Sequence, residues 1–328
     1  MQRKIAFEEH CAIPETLESN RAIAGESGKW DEFARQILDL ENERLEGMDR
    51  NGIEFAILSL NAPGVQGILD PGRAIMLARK ANDNMAGAVA RHPNRYAAMA
   101  ALPMQDPDAA SAELTRCVRE LGFKGAMIHG YAQREVADSA LYFDTPEYGS
   151  FWATVAALDV PIYLHPRMQQ ISRAPIYQGH PWLMSAPWGF GVDTSIHALR
   201  LCGSGIFDEN PGLKIVLGHL GELIPFGLGR LEARMRFSPR GYRGKRPLGE
   251  YFRKHFHVTT SGNFNDPAFR CTLEVLGQDR VYFCTDYPYE TMEDASSWFG
   301  ATDIIDDDAR HLIGRANAIK LYKLDLKD

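Results

Sequence analysis

The sequence lacks several features that mark extracellular and membrane proteins. Its five cysteines are an odd number without a Cys-x-x-Cys pair, which argues against a disulfide framework or a cysteine-built zinc site and favours a reducing cytoplasm. Its longest apolar runs, such as Phe55–Leu60, are far shorter than the ~18–20 residues that span a bilayer. The stretch Met1–Phe7 is short and runs directly into Glu8 and Glu9, which does not indicate a signal peptide.

Positive charge is also scarce relative to negative charge. The chain has 36 lysines and arginines against 43 aspartates and glutamates, a formal charge of −7. Such a chain has no electrostatic footprint for nucleic acid or for an anionic membrane surface, so we expect neither partner. No Gly-x-Ser-x-Gly elbow is present, and no glycine-rich turn follows the first strand-like run, which argues against an α/β-hydrolase and a dinucleotide site.

What is present is a strand-like run followed by a helix-like stretch, repeated along the chain. The runs are short, rich in β-branched or aromatic residues and apolar on both faces, as is typical of buried parallel strands. Eight such alternations within 328 residues predict one (β/α)8 TIM barrel over residues 1–328, with an open doubly wound sheet as the alternative. The predicted strands are Lys4–His10, Ile53–Leu60, Tyr96–Leu102, Phe123–His129, Val160–His165, Leu213–His219, His255–Ser261 and Arg280–Asp286.

Helix candidates lie between these runs, and two irregular segments interrupt the pattern. Ile13–Asp31 after the first strand and Met168–Pro187 after the fifth are too long for tight connections. Each is interpreted as a lid, a pocket wall, a subunit contact or a plain surface excursion. The predicted helices are Ile37–Asn51, Pro71–Arg91, Asp108–Leu121, Pro146–Leu158, Asp193–Phe207, Glu222–Phe237, Pro267–Leu276, Met292–Phe299 and Asp307–Lys323.

Polar and ionisable side chains cluster at the carboxyl ends of the predicted strands. Buried strands do not carry such groups without a reason, because an unpaired polar group costs free energy in an apolar interior. In a barrel these ends open onto one face, where active sites lie. The residues at these ends are Glu8, Glu9, His10, Asn61, His129, His165, His219, Ser261 and Asp286.

Four of these side chains predict a metal centre. Glu8 and His10 alternate along the first strand, so they point the same way while Glu9 points oppositely. His165 and Asp286 arrive from the fifth and eighth strands, and the eighth lies beside the first when the barrel closes. Two imidazoles and two carboxylates suit one Zn²⁺ or Mn²⁺ ion with an open position for substrate. Each residue taken alone is more often structural, but the set together favours a metal site.

Other residues around this face each have two interpretations. His219 is a further ligand or a general acid–base group, with Glu222 three residues on to orient its imidazole. A helix-start glutamate is a compatible reading of Glu222. Arg167 and Arg230 offer positive charge for an anionic substrate, with surface arginine as the alternative.

Six motifs, in this order, resemble the amidohydrolase-2 (ACMSD-like) superfamily of metal-dependent (β/α)8 enzymes. Within it, the chain is most similar to the γ-resorcylate and 2,3-dihydroxybenzoate non-oxidative decarboxylases. The resemblance runs nearly end to end, through Ile313–Asn317. The motifs are Ala6-Phe7-Glu8-Glu9-His10, Leu58-Ser59-Leu60-Asn61-Ala62-Pro63, Tyr163-Leu164-His165-Pro166-Arg167, Leu217-Gly218-His219-Leu220-Gly221-Glu222, Thr259-Thr260-Ser261-Gly262-Asn263-Phe264 and Cys284-Thr285-Asp286-Tyr287-Pro288.

The resemblance implies a role for each matching position. It implies one divalent metal ion, Zn²⁺ or Mn²⁺, and a catalytic dyad of His219 and Glu222 beside it. The implied metal ligands are Glu8, His10, His165 and Asp286, and the implied substrate contact is Arg230. We hypothesise that Asp286 also delivers a proton, and we predict His129, Asn61 and Tyr287 as further substrate contacts.

The chain also departs from its relatives. The γ-resorcylate enzymes tend to have asparagine at the position of His129 and Trp-Pro-Phe where this chain has Tyr287-Pro288-Tyr289. The 2,3-dihydroxybenzoate branch can lack the histidine that this chain keeps as His10. The loop Ala22–Trp30 does not match the γ-resorcylate pattern that supplies an aromatic pocket residue. The metal chemistry therefore carries over, whereas the ring substitution of the substrate does not.

The resemblance predicts a lyase that decarboxylates an ortho-hydroxylated benzoate of the γ-resorcylate, 2,3-dihydroxybenzoate or salicylate type. The predicted mechanism is ring protonation followed by loss of CO2. Hydrolysis of a lactone or amide in the same barrel is the alternative, because a metal ion with an open position serves both reactions. A non-catalytic ligand-binding barrel would require the strand-end residues to be incidental. We expect a cytoplasmic homodimer or homotetramer, since relatives are commonly dimers or tetramers.

Overall fold

The computed structural model describes residues 3–21 and 28–326, and its strands run parallel in chain order. Three strands form one sheet and six form another, and every pairing within them is parallel. The strands are β1 Lys4–Cys11, β2 Ile53–Leu60, β3 Tyr96–Ala98, β4 Ala100–Ala101, β5 Ala126–His129, β6 Ile162–His165, β7 Ile215–Leu217, β8 Phe256–Thr259 and β9 Val281–Tyr282.

The two sheets are continuous through the short segment that contains β3 and β4. The Met99 amide donates to the Leu58 carbonyl of β2, and the Ala100 amide donates to the Gly125 carbonyl just before β5, each at 2.8 Å. The predicted third strand is therefore one barrel position that pairs with β2 first and with β5 afterwards.

The other edges meet where the chain returns to β1. The Asp286 amide donates to the Glu8 carbonyl at 3.1 Å, and the His10 amide donates to the Tyr287 carbonyl at 2.8 Å. Eight strand positions therefore close into a barrel, which confirms the predicted (β/α)8 fold and rules out the open doubly wound sheet.

Helices surround the barrel and cover its outer face. Aspartate and asparagine side chains cap several of them, as at Asp106 and Asn265. The α-helices are α1 Pro14–Leu17, α2 Trp30–Leu38, α3 Glu43–Arg50, α4 Pro71–Arg91, α5 Pro107–Arg119, α6 Gly149–Leu158, α7 Gly189–Ser204, α8 Ile206–Glu209, α9 Ile224–Met235, α10 Leu248–His255, α11 Asp266–Leu276, α12 Met292–Ala301, α13 Asp307–His311 and α14 Asn317–Tyr322.

The predicted helix over Ile37–Asn51 is two helices, α2 and α3, because Asp39 ends the first and organises the second. One Asp39 oxygen accepts from the amides of Glu41 and Asn42, each at 3.0 Å, and the other accepts from the Arg44 amide at 3.1 Å. A side chain that satisfies three free amides favours a turn over a continuous helix.

Two other predicted elements have different bounds. Residues 248–255, predicted only as a connection that leads into a strand at His255, form helix α10. The predicted terminal helix over Asp307–Lys323 is divided by a π-helical turn at Leu312–Ala316 into α13 and α14.

The strands that carry His219 and Asp286 end earlier than predicted. β7 ends at Leu217 and β9 at Tyr282, and both functional residues have left-handed backbone angles, with φ of 51° at His219 and 71° at Asp286. Such angles cost free energy in residues other than glycine and concentrate at functional sites. Both side chains therefore reach the barrel mouth from tight turns.

A bulge in β1 places two consecutive side chains inside the barrel. The pairing of β1 with β2 shifts register between Ala6 and Glu9. Phe7 packs on the rings of Tyr163 and Tyr322, with centroids 6.3 and 4.8 Å away. Glu8, the next residue, accepts a hydrogen bond from the Tyr163 hydroxyl above this aromatic layer.

The two irregular segments contribute to the mouth of the barrel. The segment 168–187 contains 3-10 turns at Ile171–Tyr177 and Pro181–Leu183, and its Ala186 lines the pocket. The segment 13–31 contains α1, although residues 22–27, part of the loop Ala22–Trp30, lie outside the described residues. Within the described ranges, none of the helices combines the length and apolarity needed to cross a bilayer.

Candidate metal centre and active site

Four side chains from three parts of the sheet meet at the carboxyl end of the barrel. Glu8 and His10 lie on β1, His165 ends β6, and Asp286 follows β9. Each offers one ligand atom, and these atoms lie within 4.8 Å of one another. All four residues are buried. The four ligands predicted from the strand ends are therefore brought together.

The hydrogen bonds of His165 show which of its nitrogens is available to a cation. Nδ1 lies 2.7 Å from the Pro166 carbonyl, which only accepts, so Nδ1 carries the hydrogen. With the hydrogen on Nδ1, Nε2 is the nitrogen that faces Glu8 Oε1, at 3.3 Å. A lone pair and a carboxylate oxygen at this distance repel each other unless a cation or a proton lies between them.

His10 and Asp286 repeat this arrangement on the other side of the cluster. His10 Nδ1 lies 3.3 Å from the Ser59 hydroxyl, and Nε2 lies 3.2 Å from Asp286 Oδ1. Burial lowers the pKa of His10, which favours the neutral imidazole that binds metals.

Three of the four inward-facing atoms have no hydrogen-bond partner among the described residues. They are Glu8 Oε1, His10 Nε2 and Asp286 Oδ1, and all three are buried. Buried polar atoms are normally satisfied, so this group of acceptors fits a cation. Two nitrogen and two oxygen ligands suit Zn²⁺ or Mn²⁺ and leave coordination positions open for a substrate.

The predicted dyad stands beside the cluster. Glu222 Oε1 lies 2.9 Å from His219 Nδ1, and His219 Nε2 lies 3.6 Å from Asp286 Oδ2. Burial lowers the pKa of His219, but the carboxylates of Glu222 and Asp286 outweigh that effect and raise it well above its ordinary value. The arrangement fixes the orientation of the His219 ring and directs Nε2 towards the ligand oxygens.

A cavity of about 470 Å³ opens over the cluster and has the size of a small-molecule pocket. His165, His219 and Asp286 form its polar base. Its walls are largely apolar and aromatic, which suits a planar ring, and five polar residues complete the lining: Lys29, Glu32, Gln36, Glu290 and Thr291. The wall residues include Phe33, Ala62, Pro166, Phe190, Pro288 and Tyr289.

Two of the predicted substrate contacts lie behind this base. His129 is buried beside His165, with ring centroids 5.2 Å apart, and its Nε2 has no hydrogen-bond partner among the described residues. Burial holds the pKa of His129 well below its ordinary value, so its imidazole is neutral. Asn61 is fully buried and hydrogen-bonds the side chain of Tyr289, which lines the pocket.

The other two predicted substrate contacts do not line the pocket. The Tyr287 ring packs on the Arg44 guanidinium, 4.7 Å away, because the turn after Asp286 directs successive side chains to opposite sides. Arg230 is exposed on α9, one helical turn beyond the exposed Phe226. Within one chain, neither side chain is among the described residues that surround the cavity.

The aromatic wall was not predicted from the sequence. Tyr289 lies 5.5 Å from the His10 ring and 5.1 Å from that of Phe33, centroid to centroid. Tyr289 belongs to the Tyr287-Pro288-Tyr289 triplet noted in the sequence, but spacing alone did not show that this second tyrosine faces the pocket. Phe33 and Phe190 lie in the first turns of α2 and α7 and belong to no recognisable motif.

Comparisons with known proteins agree with this geometry. The amidohydrolase family model matches residues 30–324. A gamma-resorcylate decarboxylase from Rhizobium sp. (strain MTP-10005) is 48% identical over 328 residues, which cover 99% of each chain.

Two solved structures have nearly the same fold. A 2,6-dihydroxybenzoate decarboxylase complexed with 2,6-dihydroxybenzoate is 48% identical, with a TM-score of 0.96 and coverage of 99% of this chain and 100% of the other. A dihydroxybenzoic acid decarboxylase from Polaromonas sp. JS666, with bound manganese and the inhibitor 2-nitroresorcinol, is 46% identical, with a TM-score of 0.96 and coverage of 100% and 98%. The chain therefore belongs to the amidohydrolase family.

Proposed function

We propose that this protein is a metal-dependent, non-oxidative decarboxylase of an ortho-hydroxylated benzoate, with 2,6-dihydroxybenzoate (γ-resorcylate) as its substrate. The observation that carries the proposal is the buried group of unpaired acceptors at the base of an aromatic-walled pocket. Full-length relatives named for this reaction support it.

The order of bond making and breaking follows from the electronic structure of the substrate. Direct loss of CO2 would leave an electron pair in the plane of the ring, where the π system cannot stabilise it. Protonation of the carbon that bears the carboxylate gives instead a dearomatised intermediate resembling a β-keto acid. When the C–C bond then breaks, its electron pair restores the aromatic ring, and the added proton remains as the new C–H.

Two side chains at the base of the pocket are suited to move protons to and from a bound substrate. We assign proton delivery to Asp286, whose carboxylate lies at the pocket base between His10 and His219. We assign polarisation or deprotonation of the phenolic oxygen to His219, which Glu222 orients through Nδ1. The walls formed by Phe33, Phe190 and Tyr289 would hold the ring and exclude water.

The predicted cofactor fits this assignment. A divalent ion held by Glu8, His10, His165 and Asp286 would supply a Lewis acid for the carboxylate and ortho oxygen of the substrate. Manganese is bound in the similar Polaromonas enzyme.

A panel of hydroxybenzoates tests the proposed reaction. We expect CO2 release from 2,6-dihydroxybenzoate and more slowly from other 2-hydroxybenzoates, but none above background from 4-hydroxybenzoate. A hydroxyl para to the carboxylate lies at the far end of the ring, so the two groups cannot bind the same metal ion. CO2 and the phenolic product should be measured together, so that one-to-one formation shows non-oxidative loss. Hydrolysis of a lactone without CO2 release from any benzoate would replace the proposal with the hydrolase alternative.

We also propose that the protein is a homodimer or homotetramer. Large apolar side chains are exposed just before α7 and on α9, with Trp188 at 50% and Phe226 at 92%. The Leu223 amide donates to the Ser195 hydroxyl at 3.1 Å, so the start of α9 lies against α7 on this side of the barrel. Such a cluster is typical of a protein contact. Arg230 lies beside Phe226, so it would also lie in this contact between copies. There it would reach the substrate bound by the neighbouring copy.

Phe226→Asp tests this assembly. We expect the variant to sediment as a smaller species than the wild type, because a charge would have to be buried in the contact. Met76→Asp is the matched control, since Met76 is 60% exposed on α4, away from α7 and α9. Unchanged mass for Phe226→Asp in sedimentation velocity would contradict the proposed interface.

A further inference from the structure

One oxygen of Glu8 is surrounded by hydroxyl groups. The hydroxyls of Tyr163 and Ser261 donate to Glu8 Oε2, and the Thr259 hydroxyl lies 3.1 Å from the same oxygen. Thr259 Oγ1 is also 3.0 Å from the Tyr163 hydroxyl and 2.7 Å from that of Ser261. All four side chains are fully buried. The hydroxyls therefore form one connected group around a single carboxylate oxygen.

The other oxygen of Glu8 has the opposite environment. Oε1 has no hydrogen-bond partner among the described residues and faces His165 Nε2. A carboxylate without supporting contacts could rotate and offer either oxygen. Donors concentrated on Oε2 fix the plane of the group, so that Oε1 remains the atom offered to a cation. Polar neighbours of this kind orient metal ligands and tune their affinity.

The segment 260–263, which follows β8 and contains Ser261, also hydrogen-bonds the turn that carries His219. The His219 amide donates to the Ser261 hydroxyl, and the Asn263 side-chain amide donates to the His219 carbonyl, each at 3.3 Å. At Gly262, a Cβ would lie 3.0 Å from His219 Cδ2 and 3.1 Å from Asp286 Oδ2, so a side chain there would crowd both residues. The segment that follows β8 thus contacts the metal-ligand cluster and the dyad together.

We propose that Tyr163, Thr259 and Ser261 are positioning residues that hold Glu8 with Oε1 directed at the metal. Ser261 has a second role, because it joins this carboxylate to the His219 backbone. The inference deepens the proposed function and rests on it for the importance of His219, whereas the part that concerns Glu8 requires only that the cluster bind a metal ion.

Support of Glu8 and support of the His219 turn predict different effects of substitution. Tyr163 hydrogen-bonds Glu8 and Thr259, and although its hydroxyl lies close to Gly218, it makes no hydrogen bond to the His219 turn among the described residues. Its loss should weaken metal binding while leaving His219 in place once metal is saturating. Loss of the Ser261 hydroxyl should weaken metal binding and also disturb His219.

Titration of metal-free protein with Mn²⁺, followed by electron paramagnetic resonance of the free ion, tests the first role without any substrate. We expect Tyr163→Phe to raise the Kd for Mn²⁺ about tenfold, at the lower end of the range for groups that support metal ligands. Tyr322→Phe is the matched control, because Tyr322 also packs on Phe7 but its hydroxyl contacts Met99 Sδ at 3.6 Å. Equal Mn²⁺ affinity in Tyr163→Phe and Tyr322→Phe would overturn the proposal.

A pair of variants at Thr259 guards against a simple folding defect. Thr259→Ser keeps the hydroxyl and should retain affinity for Mn²⁺, whereas Thr259→Val removes it at nearly the same volume and should weaken binding. If both bind Mn²⁺ equally well, the hydroxyl does not position Glu8.

The second role is tested by the imidazole resonances of His219 in Zn²⁺-saturated protein. We expect Ser261→Ala to shift these resonances and Tyr163→Phe to leave them unchanged. Identical His219 spectra in wild type and Ser261→Ala would refute the link. Because neither readout uses decarboxylation, absence of CO2 release would refute the proposed function and leave this test intact.

Discussion

Asp286→Asn is expected to lose between about a hundredfold and ten-thousandfold in kcat, the usual contribution of a general acid–base group. An asparagine oxygen preserves one ligand atom of nearly the same shape but cannot deliver a proton to the ring carbon. The measurement is single-turnover CO2 release from 2,6-dihydroxybenzoate, with the metal content of the same sample determined in parallel. In the proposed mechanism Asp286 both binds the metal ion and delivers the proton, so its substitution should cause a large loss of kcat while the fold is retained.

The metal content of the Asp286→Asn protein determines how its loss of kcat is interpreted. Loss of kcat with metal still bound assigns proton delivery to Asp286, whereas normal turnover with metal bound would exclude it. Asp303→Asn is the control, because Asp303 is exposed and lies outside the pocket lining. It removes the same charge from the protein and should leave turnover unchanged.

Removal of the metal is expected to abolish CO2 release and to lower the melting temperature. A ligand present at a thousand times its Kd stabilises the folded state by about 4 kcal/mol, and that contribution disappears on chelation. The loss should be pronounced here, because without a cation the buried acceptors of Glu8, His10 and Asp286 face one another unpaired. Calorimetry before and after chelation, followed by return of Mn²⁺ or Zn²⁺, measures both effects.

Glu8→Gln provides the internal control for the chelation experiment. Because its metal site is weakened, the Glu8→Gln protein should have a lower melting temperature than the wild type before chelation. Chelation should then change its melting temperature little. Persistent CO2 release from wild-type protein shown to be free of metal would contradict the proposed chemistry.

Much of the fold and the metal ligands were predictable because they depend on strand periodicity. Runs apolar on both faces identified the barrel, and polar residues where those runs stop identified Glu8, His10 and His165. Parallel strands bring their carboxyl ends to one face, so distant positions in the sequence could be placed together.

The remaining parts of the site depend on geometry that periodicity does not record. Tyr287 was predicted as a substrate contact, but the left-handed turn at Asp286 brings Tyr289 to the pocket instead. The direction of Arg230 depends on how α9 leaves the turn after His219. The hydroxyls around Glu8 were missed because Tyr163 and Thr259 are also ordinary strand-forming residues.

The bulge in β1 determines how the site is closed at its base. Since Phe7 and Glu8 both face inwards, the Glu8 carboxylate and the hydroxyls around it lie directly above a layer of aromatic rings. That layer keeps the dielectric constant low beneath the metal-ligand cluster, which strengthens the attraction between a cation and Glu8. In the proposed reaction, substrate would enter and products would leave through the mouth of the barrel, where the pocket opens.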